Sequence, residues 1–188
     1  MRKKPMLAYP VSDKPIDYSK PTFIQPKLDG VRCVIQAKLR RHLLSPVLDH
    51  IEVKAYSRTG KEWKNIDHIL EQLRPFFDKF PNVILDGELY NHDLRDNFEK
   101  IISLVRKTKP TDEDRLEASE LTQFHCYDII DEKLPFDQRI EFVTESLMLL
   151  GDSIHVVDTV QTDEEYEKCA IIKGRMDEVN KILRKGNI

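Results

Sequence analysis

Apolar spacing along this chain switches repeatedly between the two-residue period of a strand and the 3.6-residue period of a helix, in short units separated by proline, glycine and charged residues. Strand-type stretches run from Thr22 to Gln25, Val31 to Ala37, Val53 to Arg58, Val83 to Tyr90, Leu121 to Ile130 and Ile154 to Val160. Between them, Ile66, Ile69, Leu70, Leu73, Phe76 and Phe77 form one helical stripe within Ile66 to Lys79. Phe98, Ile101, Ile102 and Val105 mark a second helix, Glu113 to Glu120 a short polar one, and Phe136 to Leu150 a third long one that stops at Gly151. Thr162 with Glu165 has the spacing of a capping box that opens a charged helix toward Arg184, and Gly186 is placed to end it. These units lack the long regular repeats of a doubly wound fold. The expected class is therefore mixed α+β, with largely antiparallel sheets flanked by helices.

At 188 residues the chain fits one domain with a sizeable core, and 40% hydrophobic with 34% charged residues is an ordinary soluble balance. A net charge of −3 leaves nucleic-acid binding open, because a basic face can be offset by acid elsewhere. Cys33, Cys126 and Cys169 are scattered without Cys-x-x-Cys spacing, which points to reduced thiols in a cytoplasmic setting and to no zinc site. The basic start MRKKPMLAYP is followed by no apolar stretch, so neither a signal peptide nor a membrane span is expected. Pro5, Pro10, Pro15 and Pro21 favour an extended lead-in, and residues 38–52, with Lys38, Arg40, Arg41 and His42, look like an insertion between strands.

Two Asp-Gly dipeptides carry the chemistry. The first, in Lys27-Leu28-Asp29-Gly30-Val31-Arg32, reads as a tight hairpin between the first two strands with Lys27 at its lip. Gly30 permits a positive φ and a close backbone approach, and the fork of donors on Arg32 suits phosphate or ribose oxygens. A surface hairpin with a solvated lysine would look the same. The second dipeptide lies in Leu85-Asp86-Gly87-Glu88-Leu89-Tyr90, where a glycine inside an apolar strand marks a bulge or a close backbone approach. Glu88 can accept from ribose hydroxyls or hold magnesium. In Phe124-His125-Cys126-Tyr127-Asp128, strand alternation puts Tyr127 on the side opposite Phe124 and Cys126, as core or as a platform for a base. His125 and His155 read as ordinary strand residues. Arg106, Lys107 and Lys109 suit either a helix C-terminus or a phosphate backbone.

Together these segments resemble the adenylation domain of ATP-dependent DNA ligases, within the covalent nucleotidyltransferases that include RNA ligases and mRNA-capping guanylyltransferases. Lys27 to Arg32 matches the nucleophile motif, and Ser57-Arg58-Thr59-Gly60 resembles the short Ser-Arg motif that follows it. Leu85 to Leu89 matches the third motif, and Phe124 with Tyr127-Asp128 the aromatic one beyond. The resemblance implies that Lys27 becomes the lysyl-AMP. Gln25 lies where the family reads adenine, Glu88 would contact ribose or support Mg2+, and Tyr127 would stack on adenine. Arg32 and Arg58 would meet the nucleotide or the 5′-phosphate of a nick. The helix that begins at Phe98 falls where ligases approach the DNA backbone and minor groove, although Phe98 shares the apolar stripe of Ile101, Ile102 and Val105 and reads as core.

A lysine attacks a phosphate only as the neutral amine, and its ordinary pKa is about 10.4, so neighbouring cations matter. The family's Glu-Gly and Lys-x-Lys motifs and its separate OB-fold domain would follow the last residues, Arg184 to Ile188, and none is present within the 188 residues. The expectation is a partial adenylation domain over residues 1–188, part of a monomeric ligase that uses ATP and Mg2+ on nicked double-stranded DNA. It would be cytoplasmic, of bacterial or viral type, with no membrane partner, and this stretch alone would not ligate. The other readings are an RNA ligase or capping-type enzyme, and an inactive nucleotide- or nick-binding module.

Overall fold

The structure is a computed structural model that describes residues 12–13, 17, 20, 22–40, 50–94 and 97–162. Cys169, Glu165 of the expected capping box and the charged helix toward Arg184 lie outside them. In chain order the elements are β1 (Thr22–Ile24), β2 (Val31–Arg40), β3 (His50–Tyr56), α1 (Asp67–Gln72), α2 (Arg74–Lys79), β4 (Ile84–Tyr90) and a 3-10 turn at His92–Leu94. There follow α3 (Phe98–Val105), α4 (Asp112–Leu121), β5 (Gln123–Ile129), α5 (Phe136–Leu147), β6 (Ile154–Val156) and β7 (Val160–Thr162). Two compact units share these elements: a larger one from Leu28 to Val156, and a smaller one that joins described residues up to Lys27 with those from Val157 on.

The larger unit is built on a five-stranded sheet in the order β3-β2-β4-β5-β6. Its ladders are antiparallel except β5 with β6, where α5 makes the crossover that a parallel pair requires. The expected α+β class is what forms. One sheet face carries Cys33, Ile35, Leu85, Leu89, Phe124 and Cys126, all fully buried. Ile69, Leu73, Phe76 and Phe77 from the α1–α2 region and Ile140, Val143 and Leu147 from α5 complete that core. Full burial of each large side chain contributes about 1.5–3 kcal/mol, so helices on one face supply most of what orders the sheet.

Several boundaries differ from the sequence reading, each for a local reason. Ile66 to Lys79 is two helices, because Pro75 in the first turn of α2 has no N–H and its ring clashes with the carbonyl four residues back. Leu73 sits at the joint, and both sides keep facing the core. The short polar helix is longer and firmly started: Thr111 Oγ1 accepts from the Asp114 N–H while the Asp114 carboxylate accepts from the Thr111 N–H. That helix reaches Leu121, so β5 begins only at Gln123. α5 ends at Leu147, short of Gly151, whose φ of 151° carries the turn into β6.

The hairpin expected across Asp29-Gly30 does not form. The two edges of β2 pair with β3 and β4, and Gly30 lacks the positive φ that a two-residue hairpin turn needs. β1 instead pairs with β7 in the smaller unit, with Phe23 opposite Gln161. The stretch Ile154 to Val160 is therefore split, its first three residues closing the large sheet as β6 and its end serving β7. The proposed insertion at 38–52 is largely strand at its ends, where Lys38 pairs with Glu52 and Arg40 with His50, and residues 41–49 lie outside the described set.

Candidate functional site

Helices cover one face of the five-stranded sheet, and the other face carries the polar side chains. Arg32 on β2 lies opposite Glu88 on β4, Glu88 opposite His125 on β5, and His125 opposite His155 on β6. A polar row thus crosses four strands, with Asp86 beside it, two residues from Glu88. Asp86 is buried to 4% exposure, which demands a partner. Arg32 supplies it as a fork: Nε donates to Asp86 Oδ1 at 2.6 Å and an Nη donates to Oδ2. Burial lowers the Arg32 pKa, but the hydrogen bonds and charge of Asp86 outweigh this and raise it. Burial pushes the Asp86 carboxyl up, and the guanidinium pulls it part of the way back.

Tyr127 owes its place to a bulge. Cys126 pairs with Gly87 and Asp128 with Asp86, so Tyr127 is the extra residue that the register shift leaves on β5. Bulges re-aim side chains, and here the ring meets the Arg32 guanidinium 4.9 Å from its centroid. Burial, then the charge of Asp86, raise the phenol pKa well above its usual range, so it stays neutral. Gly87 makes room for the bulge, since a Cβ there would lie 2.4 Å from the His125 carbonyl oxygen and 2.7 Å from the Phe124 ring. Gly30 has the same function elsewhere, because its Cβ would lie 2.4 Å from the Leu89 carbonyl oxygen and 2.6 Å from Glu88 Cγ. Close approach, not positive φ, explains the glycine in both Asp-Gly pairs.

Around Arg58 the chain makes a tight turn. Gly60 N–H donates to Ser57 O at 2.9 Å, Lys61 N–H donates to Ser57 Oγ at 2.9 Å, and Gly60 takes a φ of 93°. Arg58 is exposed on this turn. In α3 the buried residues are Ile101, Leu104 and Val105, while Phe98 is half-buried at the helix start and lies outside the core. Of the basic residues after α3, Lys107 pairs with Asp114, and Arg106 and Lys109 are exposed. In the smaller unit, Lys27 is exposed and Gln25 is half-buried. Gln25 Nε2 donates to Thr159 Oγ1 at 3.0 Å.

The geometry coincides with a sequence signature. The profile of the ATP dependent DNA ligase domain matches residues 5–178. The chain belongs to the ATP-dependent DNA ligase domain family. Two solved structures, Pmar-Lig_Pre and Pmar-Lig_PreS3, are similar in fold, with TM-scores of 0.63 and 0.61 and 19% identity each. Each alignment covers 96% of this chain and 40% of the other, so the chain spans about two-fifths of the length of those proteins. A comparison with curated proteins finds no match. In this ligase domain no described helix is long and apolar enough to cross a membrane.

Two partnerships of the ligase domain were not legible in the sequence: Asp86 as the seat of Arg32, and Asp128 bound to Arg139 eleven residues on. Asp86 stood out only as a carboxylate in an apolar strand, and nothing singled out Arg139. His125 and His155 stack at 4.7 Å, and burial, with the neighbouring imidazoles of His155 and His92, pushes His125 down to about 3. Among the described residues no group of three or more His, Cys, Asp or Glu side chains is arranged to hold a metal. Magnesium needs no such cage when a substrate brings phosphates, since one or two carboxylates and several waters complete its shell. Glu88, a carboxylate of the kind such a shell uses, lies on the polar face opposite Arg32 and His125.

Proposed function

We propose that this chain is the nucleophile-bearing part of an ATP-dependent DNA ligase that seals nicks in double-stranded DNA. The Lys27 amine attacks the α-phosphorus of ATP, a P–N bond forms, the bond to the β-phosphate oxygen breaks and pyrophosphate leaves with the amine giving up a proton. The 5′-phosphate of the nick then takes the AMP from Lys27, and the 3′-hydroxyl attacks that phosphate, with AMP as leaving group. Each step is phosphoryl transfer, in which positioning and charge neutralisation supply most of the catalysis. Gln25 reads adenine, Tyr127 stacks on it, and Glu88 accepts from the ribose hydroxyls or supports Mg2+. Arg32 and Arg58 meet the nucleotide or the 5′-phosphate. Bound magnesium would neutralise triphosphate charge.

The observation that carries this reading is the joining of the family match over residues 5–178 with the polar sheet face of Arg32, Asp86, Glu88 and Tyr127. To test it, the full-length protein is incubated with ATP labelled on the α-phosphate. A covalent label that is acid-labile, absent from Lys27→Ala and discharged by nicked DNA is expected. Labelling that survives in Lys27→Ala would reject the nucleophile, and discharge by nicked RNA alone would reject DNA as the substrate.

A further inference from the structure

The residue that faces the bulge's problem is Asp128. A bulged residue is not aimed by ladder pairing, so the direction of Tyr127 depends on what fixes the backbone on either side of it. On the side of Cys126 the ladder holds the backbone, through Gly87 of β4 and Val156 of β6, and the thiol adds only weak contacts, 3.6 Å from the Asp86 carbonyl and 3.4 Å from that of Asp128. Asp128 pairs with Asp86 of β4 and is held through its side chain as well. Arg139 of α5 donates from Nε to Oδ1 at 2.7 Å and from an Nη to Oδ2 at 2.9 Å, and Asp128 Oδ1 also accepts from the Ile129 N–H at 2.8 Å. The pair is nearly buried, with side-chain exposures of 12% for Arg139 and 14% for Asp128. Arg139 donates further to the Leu134 carbonyl at 2.7 Å and lies over the Phe136 ring at 5.5 Å. A single guanidinium therefore ties the last turn of the bulge to the start of α5.

We propose that Arg139, acting through Asp128, is a positioning residue for Tyr127 and so sets the affinity of the site for a purine nucleotide. This rests on the proposed stacking of Tyr127 on adenine. A bidentate fork restrains both position and rotation of the carboxylate, which a lysine would not do. With the fork lost, the bulge can relax along the strand and the ring leaves its place under Arg32.

The test is binding of α,β-methylene-ATP, which cannot transfer AMP, to the full-length protein, with thermal unfolding measured on the same samples. Tyr127→Ala weakens binding at least about fivefold, the lower bound for one stacked base. Arg139→Lys and Asp128→Asn keep charge or shape and fold more safely than Arg139→Ala, and each weakens binding about three- to tenfold. The double variant Tyr127→Ala with Arg139→Lys binds no worse than Tyr127→Ala alone, since there is then no ring to aim. If Tyr127→Ala binds normally, the stacking reading fails. If Tyr127→Ala is weakened while Arg139→Lys and Asp128→Asn change only the unfolding temperature, or if the two effects multiply, the positioning role is overturned and the stacking reading stands.

Discussion

Replacing Gly87 with alanine adds one methyl group at the most crowded point of the sheet, and its cost can be worked out from the neighbours. The new Cβ would lie 2.4 Å from the His125 carbonyl oxygen and 2.7 and 2.8 Å from two atoms of the Phe124 ring, where ordinary contact begins at 3.4 Å. Roughly 1 Å must be found on the backbone side and most of that on the side of a ring that is fully buried. Overpacking of this kind costs about 1–3 kcal/mol, and alanine's smaller unfolded-state entropy returns about 0.4–1 kcal/mol. The net loss is about 1.3 kcal/mol, or a fall in Tm of about 3–5 °C for a chain of this length. Thermal unfolding followed by circular dichroism reads it directly. An unchanged or raised Tm would refute the reasoning, because β4 and β5 would then not approach as closely as the bulge requires.

Two further outcomes follow from burial and capping. His125, held at about 3 in the fold, takes up a proton near 6.5 once unfolded, so the unfolded state binds a proton that the fold refuses. This part of the stability is complete above about pH 6.5 and falls by about 1.4 kcal/mol per unit as pH drops toward 3. Urea unfolding at pH 7, 6, 5 and 4 should show a shallower decline for His125→Gln than for the parent, and parallel declines would count against the buried neutral imidazole. Thr111→Ala removes the cap of α4 and should cost about 1 kcal/mol, while Thr111→Ser, which keeps the hydroxyl, should cost far less. Equal urea midpoints for the two variants would mean that the cap is not holding the helix.

The alternation of periods was enough to read the class of fold, because strand and helix periods are properties of consecutive residues. The core face of β4 and β5 follows from the same period, as does Tyr127 opposite Phe124. What failed was pairing. Whether Thr22–Ile24 joins Val31–Arg40 or Val160–Thr162 is decided by which strand has an edge to offer, and no local spacing encodes that. The Asp-Gly pairs stand out in the sequence, but of the two freedoms that a glycine offers at position 30 the fold uses close approach and not positive φ: the missing Cβ matters because of Leu89 and Glu88, more than fifty residues away. Pro75 is visible in the sequence but the break it makes is not, since the apolar stripe runs through it unaltered. Of the candidate residues, Lys27, Arg32, Glu88 and Tyr127 could be named by motif. Asp86 and Arg139 could not, because each matters only through a partner brought to it by the fold.

The turn at Ser57 to Lys61 has a consequence for solubility. β3 is the outermost strand on its side of the sheet, and a bare outer strand offers a row of N–H and C=O groups to any other chain that can extend along it. After the turn the chain runs back beside β3: Ser57 N–H donates to Lys61 O at 2.8 Å, Tyr56 bridges to Glu62, and Trp63 N–H donates to Ala55 O at 3.0 Å. The end of β3 is thus occupied by its own chain, and the doubling back depends on Gly60 in a conformation that other residues rarely adopt. A side chain at Gly60 would therefore threaten more than the placement of Arg58. It would uncover a β-edge, turning a local strain into a tendency of the protein to stick to itself.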